Sequence, residues 1–301
     1  MAPSGAFRSY LTTEPRFRPV WIAAVLLACA SAAPAVRAQF ASGVNVVEVY
    51  ATVTDAKGVP VTGLRQEEFT IRESGEPQQI ATFAVGEFPL SVAIALDRSF
   101  SMTGERLATA KSAARVFLGE LRPDDESMVI AIGSRTEVLA PLSRDRQPQL
   151  SALASLDAFG TTGLYDAIVA AIDAIQPARG RKALVVLSDG SDRYSTTTAA
   201  EALERARRSD VLMYPVALGR ARPEAFAELA ALTGGRSFHL RDARTLPATL
   251  RGIALELRHQ YLLGYSPSKP IVAGSNEWRS IALSVRRPGL TVRARDGYLV
   301  K

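Results

Sequence analysis

The chain has 301 residues, of which 47% are hydrophobic and 22% are charged. This composition excludes a disordered or fibrous protein, and the length predicts about two domains of roughly 100 to 200 residues each. Lys and Arg number 36 against 30 Asp and Glu, a net charge of +6. Half of that excess lies in the first 38 residues, which contain Arg8, Arg16, Arg18, Arg37 and one acidic residue, Glu14. The remaining charge is too small to predict nucleic-acid binding, which depends on many phosphate contacts.

Residues 1–38 are predicted to be a signal peptide for export. An arginine-bearing start is followed by an uncharged apolar run at residues 20–33 and by a small-x-small pattern ending at Ala38, which predicts cleavage before Gln39. The run is shorter than the roughly 20 residues that span a bilayer. Two alternatives remain open, an uncleaved membrane anchor and lipidation of Cys29, the only cysteine. The sequence therefore predicts a secreted or periplasmic protein with no disulfide after cleavage at Gln39.

Residues 39–88 form the next segment and alternate apolar with polar side chains. Val47, Val49 and Ala51 share one face of a predicted strand, and Phe69 and Ile71 suggest a second strand. Such alternation is typical of antiparallel sheets with one buried face. The segment has too few strands to close a core by itself.

Residues 89–259 show a different pattern, in which short apolar runs alternate with segments whose apolar residues recur at helical spacing. The runs lie at residues 92–96, 128–132, 183–187 and 211–218. Nearly continuous apolar runs are typical of parallel strands covered on both faces. Because amphipathic helices alternate with these strands, we predict an α/β domain with a doubly wound, mostly parallel sheet over residues 89–259.

Residues 260–301 return to alternation. Ile281, Leu283 and Val285 share one face, and Pro288 and Gly289 predict a turn before a further alternating run. Since neither end of the chain can close a core alone, residues 39–88 are predicted to pair with residues 260–301. Together they would form a small antiparallel β-sandwich-like domain into which the α/β domain is inserted.

Polar side chains follow the predicted strands at their carboxyl ends, where doubly wound sheets bind ligands. Asp97, Ser99 and Ser101 follow the first strand, and Asp189 follows the strand at residues 183–187. The loop at residues 160–163 adds a hydroxyl, from Thr161 or Thr162. An oxygen-only ligand set suits Mg²⁺, and Mn²⁺ is compatible. Because hydroxyl ligands are uncharged, an open position on the ion is expected to accept an acidic oxygen from a partner.

Each of these residues also has a purely structural interpretation. Ser99 and Ser101 could cap the helix that follows them, because serine satisfies free N–H groups there. Asp189 could belong to a plain turn, and Asp192 is expected to do so. Asp166 is expected in the first turn of a helix, where negative charge is favourable.

Signatures of catalysis are missing around these residues. Ser99 has no assigned histidine and no Gly-x-Ser-x-Gly elbow, and the sequence has neither a phosphate-binding glycine loop nor a dinucleotide fingerprint. The sequence has two histidines, which are far apart, and no cysteine after residue 38, so it offers few of the ligands that zinc sites usually contain. We therefore expect a binding protein and not an enzyme. The alternatives are a metal-dependent hydrolase and a structural cell-envelope component whose metal stabilises the fold.

The segment from Asp97 to Ser101 resembles the metal-ion-dependent adhesion site (MIDAS) of von Willebrand factor type A domains. The phrases TGLYDAI at residues 162–168 and VVLSDGSD at residues 185–192 stand at the places that this family requires. The resemblance covers about residues 89–259 and implies a Rossmann-like fold. The flanking phrases VYATVTDAKGVPVTGL and QYLLGY are similar to those of an exported bacterial subfamily.

The resemblance implies a role for each candidate ligand. Ser99, Ser101 and Thr162 would coordinate Mg²⁺ directly, and Asp97 and Asp189 would act largely through water. A partner protein would supply an Asp or Glu carboxylate to the ion, as in cell adhesion. The family usually has glycine where this chain has Phe100, so this side chain is expected to affect metal affinity and partner access.

Overall fold

The computed structural model describes residues 46–86, 88–272 and 274–300. The predicted signal peptide, its cleavage at Gln39 and the possible lipidation of Cys29 lie outside the described residues. Within these ranges, every helix is too short or too polar to cross a membrane.

A six-stranded sheet forms the centre of the α/β part, in the order β10-β9-β8-β5-β6-β7. All neighbours are parallel except β6 and β7, which are antiparallel. The predicted doubly wound, mostly parallel sheet is therefore confirmed. The strands are β5 (Leu90–Asp97), β6 (Glu126–Ile132), β7 (Glu137–Ser143), β8 (Arg181–Ser188), β9 (Val211–Leu218) and β10 (Phe238–Leu240).

Six helices cover the two faces of this sheet. One face packs against α1, α2 and α6, and the other against α3, α4 and α5. β5, β8 and β9 are consequently buried along their whole length, which explains why their sequences are continuous apolar runs. The helices are α1 (Glu105–Glu120), α2 (Gln147–Ser155), α3 (Leu164–Ile175), α4 (Ala199–Arg207), α5 (Glu224–Thr233) and α6 (Leu246–Arg258).

Two four-stranded antiparallel sheets are built from both ends of the chain, in the orders β13-β1-β11-β4 and β14-β12-β2-β3. Val49 pairs with Leu263, and Ile71 pairs with Leu283. One apolar core lies between the sheets. The strands are β1 (Val47–Thr54), β2 (Phe69–Glu73), β3 (Glu76–Gln78), β4 (Ile80–Val85), β11 (Tyr261–Tyr265), β12 (Trp278–Val285), β13 (Thr291–Arg293) and β14 (Gly297–Leu299). The domain boundaries at residues 88 and 259 stay a prediction.

The turn at Pro288 and Gly289 is present, but it does not close a hairpin. β12 before the turn pairs with β2 and β14, whereas β13 after it pairs with β1 in the other sheet. The turn therefore carries the chain from one sheet to the other. Alternating patterns on both sides of a turn do not distinguish these two outcomes.

Candidate metal centre

Asp97 is the last residue of β5, and its side chain is fully buried. One carboxylate oxygen accepts a hydrogen bond from the Ser99 backbone N–H at 2.9 Å, and the other accepts from the Ser188 hydroxyl at 2.6 Å. Ser188 ends the neighbouring strand β8, so the carboxylate is held between two strands. Burial raises the pKa of Asp97, the two hydrogen bonds oppose this, and the nearby Asp189 carboxylate adds to it.

Ser99 and Ser101 place their hydroxyl oxygens 3.0 Å apart. An octahedral ion with oxygens at about 2.0–2.1 Å has adjacent ligands roughly 3 Å apart, so this pair fits Mg²⁺. The same separation lets one hydroxyl donate to the other. The capping interpretation is wrong, because Gly104 precedes α1 and neither serine side chain makes a cap hydrogen bond there or at the 3₁₀ turn Phe100–Met102.

The loop before α3 brings the third hydroxyl. Phe159 N–H donates to the Arg98 carbonyl at 2.7 Å, and Phe100 N–H donates to the Gly160 carbonyl at 3.1 Å, so this loop is tied to the one after β5. Thr162 is 2% exposed. A cleft of about 400 Å³ is lined by Ser99, Phe100, Ser101, Gly160, Thr161, Thr162 and Arg193. Both threonines reach the cleft, so the assignment of the ligand to Thr162 stays a prediction.

Asp189 directly follows β8 and is half-buried. Its carboxylate accepts from the Ser191 N–H at 2.9 Å. Gly190 next to it has φ +81°, and a Cβ there would lie 2.0 Å from Cγ of Pro223. Only glycine therefore allows this loop to pass Pro223 and present Asp189 at the sheet edge.

Four of the five predicted site residues thus lie in three neighbouring loops, and Asp97 ends β5 at the same edge of the sheet. The cleft itself is lined by hydroxyls, while the carboxylates of Asp97 and Asp189 are not among its walls. Among the described residues, no three His, Cys, Asp or Glu side chains are grouped as a metal site. The candidate centre therefore depends on two carboxylates and three neutral hydroxyls, a donor set that fits a hard divalent cation.

Sequence reasoning missed the role of Asp192, which was predicted to be part of a plain turn. Its carboxylate accepts from the Leu164 N–H at 2.7 Å, at the start of α3, and from the Ser195 hydroxyl at 2.6 Å. The Ser195 hydroxyl in turn accepts from the N–H of Tyr165 at 3.0 Å. The loop after β8 therefore caps α3 and holds the Thr162 loop in place. A capping residue 28 positions along the chain from its helix leaves no local sequence signal.

Comparison with known proteins identifies the class of this domain. Residues 92–191 match the family model of the von Willebrand factor type A domain. A von Willebrand factor type A protein from Catenulispora acidiphila is similar in structure, with a TM-score of 0.53 and 16% identity over 77% of this chain and 74% of that chain. Proximal thread matrix protein 1 from the mussel byssus, with a zinc-occupied MIDAS motif, has a TM-score of 0.52 and 13% identity over 63% of this chain and 50% of that chain.

One curated relative is similar in sequence, human calcium-activated chloride channel regulator 4. It is 27% identical over 165 residues, which are 50% of this chain but only 17% of the human protein. The chain therefore contains a von Willebrand factor type A domain, with the fold of that family. Domains of this family are typically protein-interaction modules with a MIDAS.

Proposed function

We propose that this protein is an exported interaction module that binds an acidic group of a partner protein through a divalent cation. The cation is Mg²⁺, with Mn²⁺ compatible, and it is held by Asp97, Ser99, Ser101, Thr162 and Asp189. The observation that carries the proposal is the pair of serine hydroxyls 3.0 Å apart at the cleft, in front of a fully buried carboxylate.

Each residue has a separate task in this proposal. Ser99, Ser101 and Thr162 line the cleft, and their hydroxyls would provide neutral ligands. Asp97 and Asp189 supply negative charge from outside the cleft walls, and the two hydrogen bonds of Asp97 fix its orientation. A cation bound there offers an open coordination position to an anionic oxygen. Because the nearest ligands are neutral, that position favours a carboxylate over a neutral group.

Calorimetric titration of the full chain with Mg²⁺ tests the metal site. We expect a binding isotherm for the wild type and none for Asp97→Asn, which keeps the shape of the side chain but removes its charge. Asp55→Asn is the matched control, because Asp55 only organises a turn through the N–H groups of Lys57 and Val59. Equal heats for Asp97→Asn and the wild type would exclude the proposed site.

Folding of Asp97→Asn is checked by its melting temperature in EDTA. The neutral variant avoids the cost of burying a charge but offers one acceptor oxygen where Asp97 offers two, so its melting temperature should stay close to that of the metal-free wild type. A clearly lower melting temperature would mean that Asp97→Asn fails to bind Mg²⁺ because it is misfolded. The double variant Ser99→Ala with Ser101→Ala would then be used in its place.

Two rival functions make different predictions. A structural envelope component would lose melting temperature in EDTA but keep a pulled-down partner, whereas an interaction module should release the partner in EDTA. A metal-dependent hydrolase should turn over members of a phosphoester and peptide panel, with activity lost in Asp97→Asn. We expect partner release and no turnover.

Export is the remaining part of the proposal, and it is supported by the sequence of residues 1–38. Expression in a bacterium followed by N-terminal sequencing of the periplasmic fraction should give a chain that begins at Gln39. A chain that begins at Cys29 and carries a lipid would support membrane anchoring instead. An unprocessed chain in the cytosolic fraction would contradict export.

A further inference from the structure

Three exposed aromatic side chains lie beside the candidate metal centre. Phe100, Phe159 and Tyr194 are 68%, 63% and 60% exposed, and every other large hydrophobic residue exposed in the described part of the chain is aliphatic. Phe100 lines the cleft, and Phe159 and Tyr194 directly adjoin Gly160 and Arg193, which also line it. Exposed apolar surface clustered at one place on a protein marks an interaction site.

The backbone that carries these rings is tied together by hydrogen bonds. Phe100 and Phe159 lie on the two segments joined by the Phe100–Gly160 and Phe159–Arg98 backbone bonds. Tyr194 N–H donates to the Thr162 carbonyl at 3.0 Å, which attaches the third loop to the other two. Because the loops are already held in place, binding would order little additional backbone.

Two arginines near the rings differ in whether their charge is paired. Arg98 contacts the Glu137 carboxylate at 3.1 Å, and its guanidinium lies 5.9 Å from the centre of the Phe159 ring. Arg193 is exposed and lines the cleft, and no described residue forms an ion pair with its guanidinium. The two site carboxylates formally balance a divalent ion, so Arg193 is the positive charge left at the cleft. Such a charge attracts an acidic ligand.

We propose that four residues around the cleft select a partner segment in which an aromatic side chain stands next to an acidic one. We call this set the aromatic rim; it consists of the rings of Phe100, Phe159 and Tyr194 together with the guanidinium of Arg193. The proposal rests on the proposed function, because the acidic side chain is taken to reach the metal. Arg193 then contacts the same acidic segment, and the partner's ring packs against the rings of the rim. Aromatic pairs are favoured beyond their buried area, and aromatic and arginine side chains dominate interface energetics.

The rim follows from this chain's own residues. Phe100 adds a ring where the family usually has glycine. Phe100 is not one of the described residues with a positive φ, so its backbone does not require glycine. Its ring is therefore presented to solvent without backbone strain. A carboxylate flanked by small polar residues would satisfy the ion but leave the rim unoccupied.

Three capped peptides of otherwise identical sequence test the proposal. Their central pairs are Asp-Trp, Asp-Ser and Asn-Trp, and each is immobilised at equal density while the full chain is passed over it in Mg²⁺ or in EDTA. We expect Asp-Trp to bind about tenfold more tightly than Asp-Ser in Mg²⁺, the ratio for one good aromatic contact. Asn-Trp should bind only weakly, and EDTA should remove the binding of both aspartate peptides.

Rim variants assign the preference to particular residues. Phe100→Ser combined with Phe159→Ser and Tyr194→Ser should lower the Asp-Trp affinity to that of Asp-Ser and leave Asp-Ser unchanged. Arg193→Ser should weaken both aspartate peptides. The matched controls are Leu255→Ser, an exposed apolar residue on α6, and Arg179→Ser, an exposed arginine before β8 at the opposite end of that strand. Neither control should change any affinity.

The outcomes separate the aromatic rim from the proposed function. Equal binding of Asp-Trp and Asp-Ser in Mg²⁺, with loss of both in EDTA, would overturn the rim and keep the metal-dependent function. Aspartate peptides that bind equally in Mg²⁺ and EDTA would overturn the proposed function. Absence of binding by all three peptides would count against both.

Discussion

At the residue scale, the buried carboxylate of Asp97 is the costliest feature of the candidate site. Its carboxylate is fully buried beside a second acidic residue, and hydrogen bonds from Ser188 and Ser99 compensate for only part of the lost hydration. A neutral side chain there would avoid the cost of burying a charge, although an amide offers one acceptor oxygen where the carboxylate offers two. A buried carboxylate with a raised pKa at the end of a central strand is typical of a site that receives a positive ligand.

Gly190 is the residue whose substitution should move Asp189 most directly. In Gly190→Ala the new Cβ would meet Pro223 Cγ, and the residue would have to keep φ +81°. A left-handed conformation costs an ordinary residue roughly 1–2 kcal/mol, and relief of the clash must shift the loop further. We expect Gly190→Ala to lower the melting temperature and to abolish the calorimetric signal for Mg²⁺.

Gly63→Ala is the matched control for this prediction. Gly63 has φ +79°, but its Cβ would meet no atom within 4 Å. It should show the conformational cost alone and leave Mg²⁺ binding intact. Similar loss of Mg²⁺ binding in both variants would show that the crowding at Pro223 is irrelevant to the site.

At the element scale, a buried ion pair joins strands from opposite ends of the chain. Arg279 in β12 lies 3.1 Å from the Glu73 carboxylate in β2, and the two side chains are only 1% and 3% exposed. Tyr265 in β11 and Tyr298 in β14 donate to the same carboxylate at 2.7 and 3.0 Å. Burial and then the Glu73 carboxylate raise the pKa of Tyr298 to about 12, so its hydroxyl remains a donor at neutral pH. The cluster therefore links both sheets of the small domain.

Removal of Arg279 should strongly destabilise this small domain. Arg279→Met leaves Glu73 buried without its cation, and breaking a buried pair in this way costs about 3–5 kcal/mol. Arg65→Met removes an exposed partner of Glu67 and should cost about 1 kcal/mol or less. Urea unfolding followed by tyrosine and tryptophan fluorescence measures both. A midpoint for Arg279→Met equal to that of Arg65→Met would contradict a supporting role for the cluster.

At the scale of the whole molecule, the α/β part lies in the chain between the two groups of strands that form the antiparallel sheets. β11 begins three residues after α6 ends at Arg258, and it lies between β1 and β4 in its sheet. Strands that are distant in sequence are therefore neighbours in space. Folding of the β domain must wait for both ends of the chain, because non-local strands pair only after a long loop has closed.

Deletion of residues 260–301 should expose the N-terminal segment. The deletion removes β11 to β14. β1 thereby loses its partners β11 and β13, β4 loses β11, and β2 loses β12. We expect limited proteolysis to cleave within residues 46–86 of the deletion variant, while residues 89–259 resist because their two cores remain. The full chain should resist in both regions. Protection of residues 46–86 in the deletion variant would show that this segment folds alone.

The amino-acid sequence by itself determined the α/β part of the fold and most of the candidate site. Continuous apolar runs predict buried parallel strands. Asp97, Ser99, Ser101 and Asp189 lie at or just after the ends of two of these strands, so the local pattern is enough to find them. The short strand β10 and the edge strand β7 were not predicted. β7 is interrupted by Pro141 and exposes Val138, so no clear alternation marks it.

Tertiary structure alone decided the features that depend on residues far apart in the chain. Three features join segments that the sequence alone does not connect. They are the Asp192 cap on α3, the close approach of Gly190 to Pro223, and the crossing of the chain between sheets from β12 to β13. The aromatic rim is of the same kind, because three separate loops contribute its rings. Hydrophobic period is a local property that can be read along the chain, whereas capping, crowding and surface clustering arise only when distant segments are packed together.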